Sequence, residues 1–311
     1  MPVRASLLSG VLLLIAPTPP VDQPLVRLPA GAVVVVTSTM SESARDAVGG
    51  FRHRMDQRGI RLGADLNVTA LDDAAALAAV RASRADIVLA VGSRAQDLAK
   101  RAAPGSMIVS ALTSNPQEPG ASRATGVSLE FPLEQQVQWI RKVLPASQRR
   151  VGIIYSPAEN EQTITRIREA ARSAGLEIIA KSVQSPSDIP RALASMSGTA
   201  DVLWGIPDEV VMTPETARSI LLFSLRNRLP LIGLSVAWVR SGALFALDRD
   251  YADVGSQCAE QALRLLNGET LQSVPPERPR KLVYALNLRT ADLMSLKFST
   301  ETVRNAREVV R

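Results

Sequence analysis

The chain has 311 residues, of which 46% are hydrophobic and 21% are charged. This length and balance are typical of one or two folded domains and exclude a disordered chain. The net charge of +6 would suit an anionic partner. However, the arginines are spread along helical patterns such as "RHRMDQR", so they are interpreted as solvated helix faces, and no nucleic-acid partner is expected. A single cysteine (Cys258) and a single histidine (His53) exclude an internal disulfide and a multi-histidine metal site, and no cofactor is expected.

The N-terminal 30 residues resemble an export signal followed by a linker. Arg4 precedes an apolar run over 7–16, and a Pro-rich stretch follows over 17–29. About ten apolar residues are too few to span a bilayer, which needs roughly 20, but they suit the core of a signal peptide. We therefore predict that residues 1–30 direct the protein to the periplasm or another site outside the cytoplasm.

The first part of the chain alternates strands and helices. A continuous β-branched run over 32–38, "AVVVVTS", predicts a strand buried on both faces, and helical spacing follows over 41–58 up to Gly59. The alternation continues through "LNVTAL", "DDAAALAAVRAS", "ADIVLAVG", "SRAQDLAKRAA" and "SMIVSAL". Strands separated by helices of this length predict right-handed βαβ units and a parallel sheet.

The alternation then begins again with a helix over 131–144. Predicted strands follow at "RVGIIYS", "LEIIAKSV", "DVLWGI", "LPLIGL", "GALFAL" and "KLVYALNL", with helices at 159–174, 213–227, 235–240 and 251–266 and one beginning in "SDIPRALASM". The predicted fold class is α/β, with two doubly wound Rossmann-like lobes and a ligand cleft between them. The first lobe is predicted to comprise 31–126 plus about 248–271, and the second 127–247 plus about 272–295. The chain should cross between lobes near Val127, Leu247 and Leu271, and the tail over 296–311 is expected to form a surface helix.

Catalytic signatures are absent from the sequence. There is no GxxxxGK[ST] loop, and no GxGxxG follows the first strand. "GLSVA" over 233–237 lacks the final glycine of a nucleophile elbow, and the only histidine lies in the other predicted lobe. We therefore predict that the protein is not an enzyme.

Several segments together carry a family resemblance. They are "ATGVSLEFPLEQQVQWIRKVLP", "RVGIIYSPAEN", "SAGLEIIAKSV", "ADVLWGIPDEVV", "NRLPLIG", "SGALFALDRDYADVGSQCAEQALRLLNGE" and "KLVYALNLRTADLM". Their order and spacing, within a region from about 33 to 294, resemble the ABC transporter substrate-binding proteins of the tryptophan/phenylalanine-binding-like group. The resemblance implies the type I periplasmic-binding-protein fold. It also implies an exported receptor that closes over a small polar solute, an amino acid or related carboxylate, and presents it to the membrane permease of an ABC importer.

The resemblance also implies where the solute is held. In the family, the loop after the strand "DVLWGI" carries an aspartate that contacts the ligand, and Asp208 occupies that position. Asp208 could hold an ammonium or hydroxyl group, or it could only shape the turn at Pro207 and assist the next helix. The other candidates follow predicted strands, apart from Trp238, which is the candidate aromatic wall. They are Ser38, Thr39, Ser93, Arg94, Thr113, Asn115, Tyr155, Ser156 and Ser235.

Several of these residues also have a structural interpretation. Ser93 could cap its helix, 113–116 could be only a turn, and Tyr155 could be a core aromatic residue. Asp250 and Tyr251 are expected to cap the returning helix rather than touch the ligand.

The chain departs from the family pattern at three positions. Asn115 and Glu209 stand where the family often has Asp and Asn, and Arg94 stands where a small residue is common. These changes favour an acidic or carboxylate-rich ligand, so we do not transfer a specificity for aromatic amino acids from the family to this chain.

A sensory protein that signals through a membrane receptor or histidine kinase remains the alternative. A transcription regulator would need an N-terminal helix-turn-helix, where this chain has an export-like segment.

Overall fold

The computed structural model describes residues 32–63, 65–67, 74–117, 123–145 and 147–311. The predicted export signal and linker over 1–30 lie outside these ranges. Within the described ranges, no helix combines the length and the apolar character needed to cross a bilayer.

The first lobe is built on a parallel sheet whose first strand in the chain is buried on both faces. Its elements are β1 (Val33–Thr37), α1 (Glu42–Asp56), β2 (Asp65–Asn67), α2 (Ala74–Ser83), β3 (Ile87–Val91), α3 (Ser93–Ala102), β4 (Met107–Thr113) and β5 (Ala124–Ser128). The strand order is β2-β1-β3-β4-β5. Val33 and Val35 pack into one apolar cluster and Val34 and Val36 into another, because successive strand residues point to opposite faces. The predicted buried strand at 32–38 is thus confirmed, whereas β5 was not predicted.

The second lobe contains a larger sheet that is parallel except at one junction. It comprises α4 (Leu133–Val143), β6 (Arg150–Tyr155), α5 (Pro157–Ser173), β7 (Glu177–Ser182), α6 (Ile189–Met196), β8 (Val202–Trp204), α7 (Pro214–Arg226), β9 (Leu231–Gly233), α8 (Val236–Arg240), β10 (Phe245–Arg249), β11 (Leu282–Asn287), α10 (Leu288–Leu293), α11 (Thr300–Arg304) and β12 (Glu308–Val310). The order is β12-β11-β10-β9-β8-β6-β7. β11 runs antiparallel to β10 because the chain leaves this sheet at the end of β10 and re-enters it from the same side.

Helix α9 (Tyr251–Leu266) returns to the first lobe and packs closely on α1. A Cβ atom at Gly50 would lie 1.9 Å from the backbone oxygen of Ala252, and one at Gly255 would lie 1.9 Å from that of Ala47. Only glycine allows two helix backbones to approach this closely. Cys258, on the same helix, is fully buried.

The chain passes between the two sheets three times. The first crossover (129–132) follows β5, the second is Asp250 between β10 and α9, and the third (278–281) precedes β11. The third lies later than the predicted position near Leu271. Val274 still packs into the core of the first lobe, and the Glu277 N–H donates to the Gly126 carbonyl oxygen at 2.9 Å.

The C-terminal segment is part of the second lobe. Residues 296–311 do not form a single surface helix as predicted, because β12 pairs in parallel with β11 and extends the sheet. The Tyr284 hydroxyl donates to the Thr302 carbonyl oxygen at 2.8 Å, and Phe298 and Val303 pack against the core. The sequence interpretation failed because β12 is only three residues long.

Candidate functional site

In the first lobe, the structure brings the loops after β1 and β3 together. Ser38 uses both its N–H and its hydroxyl to donate to the Val91 carbonyl oxygen, at 3.0 and 3.2 Å. A Cβ atom at Gly92 would lie 2.3 Å from the Ser38 Oγ. Thr39 Oγ1 accepts from the Ser41 N–H at 3.3 Å. Ser38 and Thr39 therefore lie at the carboxyl edge of the sheet, but both have local hydrogen-bonding partners.

The remaining first-lobe candidates differ in exposure. Ser93 is exposed at the first position of α3, and the N-cap is Gly92, so Ser93 does not cap the helix. Arg94 and Asn115 are exposed, whereas Thr113 is buried at the end of β4.

The loop after β4 is held by a buried side chain of α3. The amide of Gln96 donates to the carbonyl oxygens of Asn115 and Pro116, at 3.2 and 3.0 Å. This contact fixes the turn at 113–116 beside the start of α3, where Ser93 and Arg94 lie.

In the second lobe, Asp208 joins two strand-end loops. Its Oδ2 accepts from the Ser156 N–H at 2.7 Å and from the Asn160 amide at 3.0 Å. Its Oδ1 accepts from the N–H groups of Val210 and Val211, both at 2.9 Å. A carboxylate has about four lone-pair sites, and all four are used here. Asp208 is only 7% exposed, so this geometry supports the structural interpretation of Asp208 and leaves no acceptor capacity for a ligand.

Of the two aromatic candidates in the second lobe, Tyr155 is buried in the core and Trp238 is partly buried against it. Tyr155 is buried and donates from its hydroxyl to Glu161 Oε2 at 3.0 Å. Burial, and then the neighbouring Glu161 carboxylate, raises the pKa of this hydroxyl above its usual value of 10. Trp238 packs against the apolar cluster that contains Ala243 and does not line the pocket between the lobes. The burial of Tyr155 and the apolar contacts of Trp238 support packing roles for both residues.

A pocket of about 190 Å³ lies between the lobes, next to the crossovers. Its first-lobe wall is the beginning of α1, where Ser41 caps the helix by accepting from the Ala44 N–H at 3.2 Å. The candidate Ser235 lies on the opposite wall, and it makes no side-chain capping bond to α8. The pocket is lined by Ser41, Glu42, Ser43, Asp46, Ser235, Val236, Ala237, Arg240, Asp248, Arg249, Tyr251, Val283, Arg307 and Glu308.

The base of the pocket holds Asp248, Arg249 and Tyr251, which the sequence analysis did not select. Asp248 accepts from the N–H groups of Val236 and Arg249, at 3.3 and 2.8 Å. Burial raises the pKa of Tyr251, and the Asp248 carboxylate raises it further. Asp250 caps α9 as predicted by accepting from the Asp253 N–H at 3.3 Å, but Tyr251 faces the pocket. The "DRDY" run of charged and aromatic residues at a strand end was the signal that could have found this cluster.

Two arginines at the rim join the lobes. Arg240 donates to both carboxylate oxygens of Glu308, at 2.7 Å each, and to Glu42 of the first lobe at 2.8 Å. Arg307 donates to Asp46 at 3.0 Å. Side chains of both charges therefore surround the pocket, an arrangement that suits a small solute with separated positive and negative groups.

Comparisons with known proteins agree with this two-lobed architecture. A tyrosine-binding protein of Clostridioides difficile is 22% identical over 200 residues, which cover 61% of this chain and 57% of that protein. This chain thus matches less than two thirds of the length of that relative.

Solved structures that share the fold include the following two. One is an ABC domain in complex with L-Trp from Streptococcus pneumonia, with a TM-score of 0.61, 19% identity, and coverage of 89% of this chain and 100% of that chain. The other is a ligand-free, open substrate-binding protein with adhesive properties from Clostridium difficile, with a TM-score of 0.72, 16% identity, and coverage of 89% and 98%. The two lobes have the type I periplasmic-binding-protein fold, as predicted.

The family described as ABC transporter substrate binding protein matches residues 32–310. The match includes β12, so the C-terminal segment lies within the family region and not beyond it as the sequence interpretation assumed. The chain belongs to the ABC transporter substrate-binding protein family.

Proposed function

We propose that this protein captures an amino acid or a related carboxylate between its two lobes and delivers it to the permease of an ABC importer. The observation that carries this proposal is the pocket beside the crossovers, which residues of both lobes line with carboxylates and guanidinium groups. Such a lining complements the two charges of a free amino acid. The names of the relatives, which bind tyrosine and tryptophan, support the same class of solute.

Binding would be coupled to closure of the lobes. The residues that line the pocket belong to two bodies joined by three short crossovers, so a solute that contacts both walls stabilises the closed arrangement more than the open one. A permease can then distinguish loaded from empty protein by the relative position of the lobes. This role requires the solute to be released unchanged, and the protein is proposed to have no enzymatic activity.

The first experiment is a thermal-shift screen of the purified protein against amino acids, small carboxylates, sugars and nucleosides. A solute at 100 times its dissociation constant adds about 2.7 kcal/mol of stability, which raises the melting temperature by several degrees. Stabilisation by amino acids or carboxylates, with the solute recovered unchanged after denaturation, is the expected result. Stabilisation only by sugars or nucleosides would contradict the proposed solute class.

Delivery and location need separate tests. Cell fractionation should find the protein outside the cytoplasm if residues 1–30 act as an export signal. Deleting its gene should lower uptake of the radiolabelled solute identified in the screen. Unchanged uptake, with binding intact, would contradict delivery to an importer and would favour the sensory alternative.

A further inference from the structure

Arg249 is the least satisfied cation in the inter-lobe pocket. Its side chain is 14% exposed, and burial lowers the pKa of its guanidinium. By contrast, the two rim arginines, Arg240 and Arg307, are each hydrogen-bonded to carboxylates. A buried charge is costly unless it is paired and hydrogen-bonded, so the partners of Arg249 decide what this residue does.

The described residues supply Arg249 with few acceptors. Its Nη2 donates to the Leu129 carbonyl oxygen of the first crossover, and its guanidinium carbon lies 3.9 Å from the centre of the Phe131 ring. Its Nε is buried and has no hydrogen-bond partner among the described residues. Its Nη1 lies 4.0 Å from the nearest Asp248 oxygen, which is beyond hydrogen-bond distance. The Tyr251 hydroxyl is its one other hydrogen-bonding partner among the described side chains.

Asp248 cannot move closer without losing contacts of its own. Its two oxygens already accept the N–H groups of Arg249 and Val236, at 2.8 and 3.3 Å, and its carboxylate also hydrogen-bonds to the Tyr251 hydroxyl. The Asp248 carboxylate is therefore held in place and does not form a hydrogen-bonded ion pair with the Arg249 guanidinium beside it. A guanidinium has five N–H donors, which is more than Leu129 and Tyr251 can accept.

We propose that Arg249 holds the carboxylate group of the solute, which makes it a specificity-determining residue for carboxylate ligands. This inference rests on the proposed function, because it assigns one end of the same inter-lobe site. A planar guanidinium matches a carboxylate in shape and charge, and hydrogen bonds between two ionised groups are about twice as strong as neutral ones. Because Arg249 also contacts Leu129 and Phe131, the bound carboxylate would lie directly against the first crossover.

The competing role for Arg249 is purely structural. The contacts with Leu129 and Phe131 could tie β10 to the first crossover without any ligand. Loss of such a tie would weaken the binding of every solute to a similar degree, whereas loss of a carboxylate partner would weaken only solutes that carry a carboxylate.

The test compares each amino acid with its decarboxylated analogue. L-Tyrosine against tyramine, and L-tryptophan against tryptamine, are titrated by calorimetry into the wild type and Arg249→Gln. Glutamine keeps a polar amide at this position but is shorter than arginine and carries no charge. The matched control is Arg278→Gln, which removes one charge from the third crossover, where the Arg278 side chain is 61% exposed and lies 3.6 Å from Glu130.

We expect the wild type and Arg278→Gln to bind the amino acid at least about tenfold more tightly than the amine, a difference of about 1.4 kcal/mol. For Arg249→Gln, the dissociation constant of the amine divided by that of the amino acid should fall to about one to two. The affinity for the amine should be kept or improved. Equal losses for acid and amine, or an unchanged ratio, would overturn the proposal. If Arg249→Gln does not fold, Arg249→Lys replaces it. Lys keeps the charge without the planar fork, and the ratio must then fall severalfold.

A second measurement separates this proposal from the amino-acid assignment. Sodium benzoate is compared with sodium chloride at equal ionic strength, with melting temperature as the readout. Stabilisation of the wild type and Arg278→Gln, but not of Arg249→Gln, would support the carboxylate site even if no amino acid binds. Absence of stabilisation by any carboxylate would overturn it.

Discussion

Replacing Asp208 by alanine should destabilise the folded protein rather than remove a ligand contact. The substitution deletes four hydrogen bonds to one buried carboxylate and leaves the N–H groups of Ser156 and Val211 without their acceptor. Hydrogen bonds to charged groups contribute about 1.5–3 kcal/mol each, but such contributions in one network are not additive, so we expect a loss of about 3–5 kcal/mol. For a chain of this size the entropy of unfolding is about 0.6 kcal/mol per kelvin, so the melting temperature should fall by about 5–8 °C.

Thermal unfolding of the ligand-free protein, followed by circular dichroism, measures this effect. Asp208→Asn keeps one acceptor oxygen, so its melting temperature should fall by about half as much as that of Asp208→Ala. Glu209→Ala changes the adjacent exposed side chain and should leave the melting temperature unchanged. A wild-type melting temperature for Asp208→Ala, combined with a loss of solute affinity of about 1.5–3 kcal/mol, would refute this reasoning and restore Asp208 to the ligand site.

Three further predictions concern the fold. Gly50→Ala should cost about 3 kcal/mol in urea unfolding because its Cβ would meet the backbone of α9 at 1.9 Å, whereas Gly49→Ala, with nothing within 4 Å, should be neutral or stabilising. Burial would raise the pKa of Asp201, but hydrogen bonds from Arg150 and two backbone N–H groups lower it below 3.8, so its contribution to stability is full at neutral pH and lost in acid. The stability deficit of Asp201→Asn should therefore be full near pH 7 and shrink as the pH falls below about 4 and through the lowered pKa of Asp201, as measured in denaturant titrations. Burial raises the pKa of the Cys258 thiol to about 12, so iodoacetamide should modify it only in unfolded protein, and rapid labelling of the native state would contradict this.

The alternation of strands and helices was predictable because each element depends on a hydrophobic pattern within its own short segment. Strand β1 is a run of four valines buried on both faces, and such a run has few other interpretations. Strand β5 escaped prediction because "ATGVS" contains Gly126 and two hydroxyl residues. A Cβ atom at Gly126 would lie 2.1 Å from the Ser110 carbonyl oxygen, so the residue that weakens the sequence pattern is also the one that permits the pairing with β4.

The candidate site was predictable only in part, since its chemistry depends on contacts between distant segments. The strand-end rule placed Ser38, Ser93 and Ser156 correctly at the edges of the two sheets. It could not reveal that Ser156 and Asn160 donate hydrogen bonds to Asp208, because these two residues lie about 50 positions away in the sequence.

The pocket lies next to the crossovers, where residues of the two lobes come close to each other. Arg249 ends β10 of the second lobe, yet its guanidinium reaches Leu129 and Phe131, which the chain passes on leaving the first lobe. From the sequence, Arg249 looks like one of many scattered charges, and a residue 120 positions away determines its environment. Side chains at the strand ends can hold loops in place within one lobe. In the proposed receptor role, a solute held by Arg249 would lie beside the segments that join the two lobes, so its binding would be coupled to their relative movement.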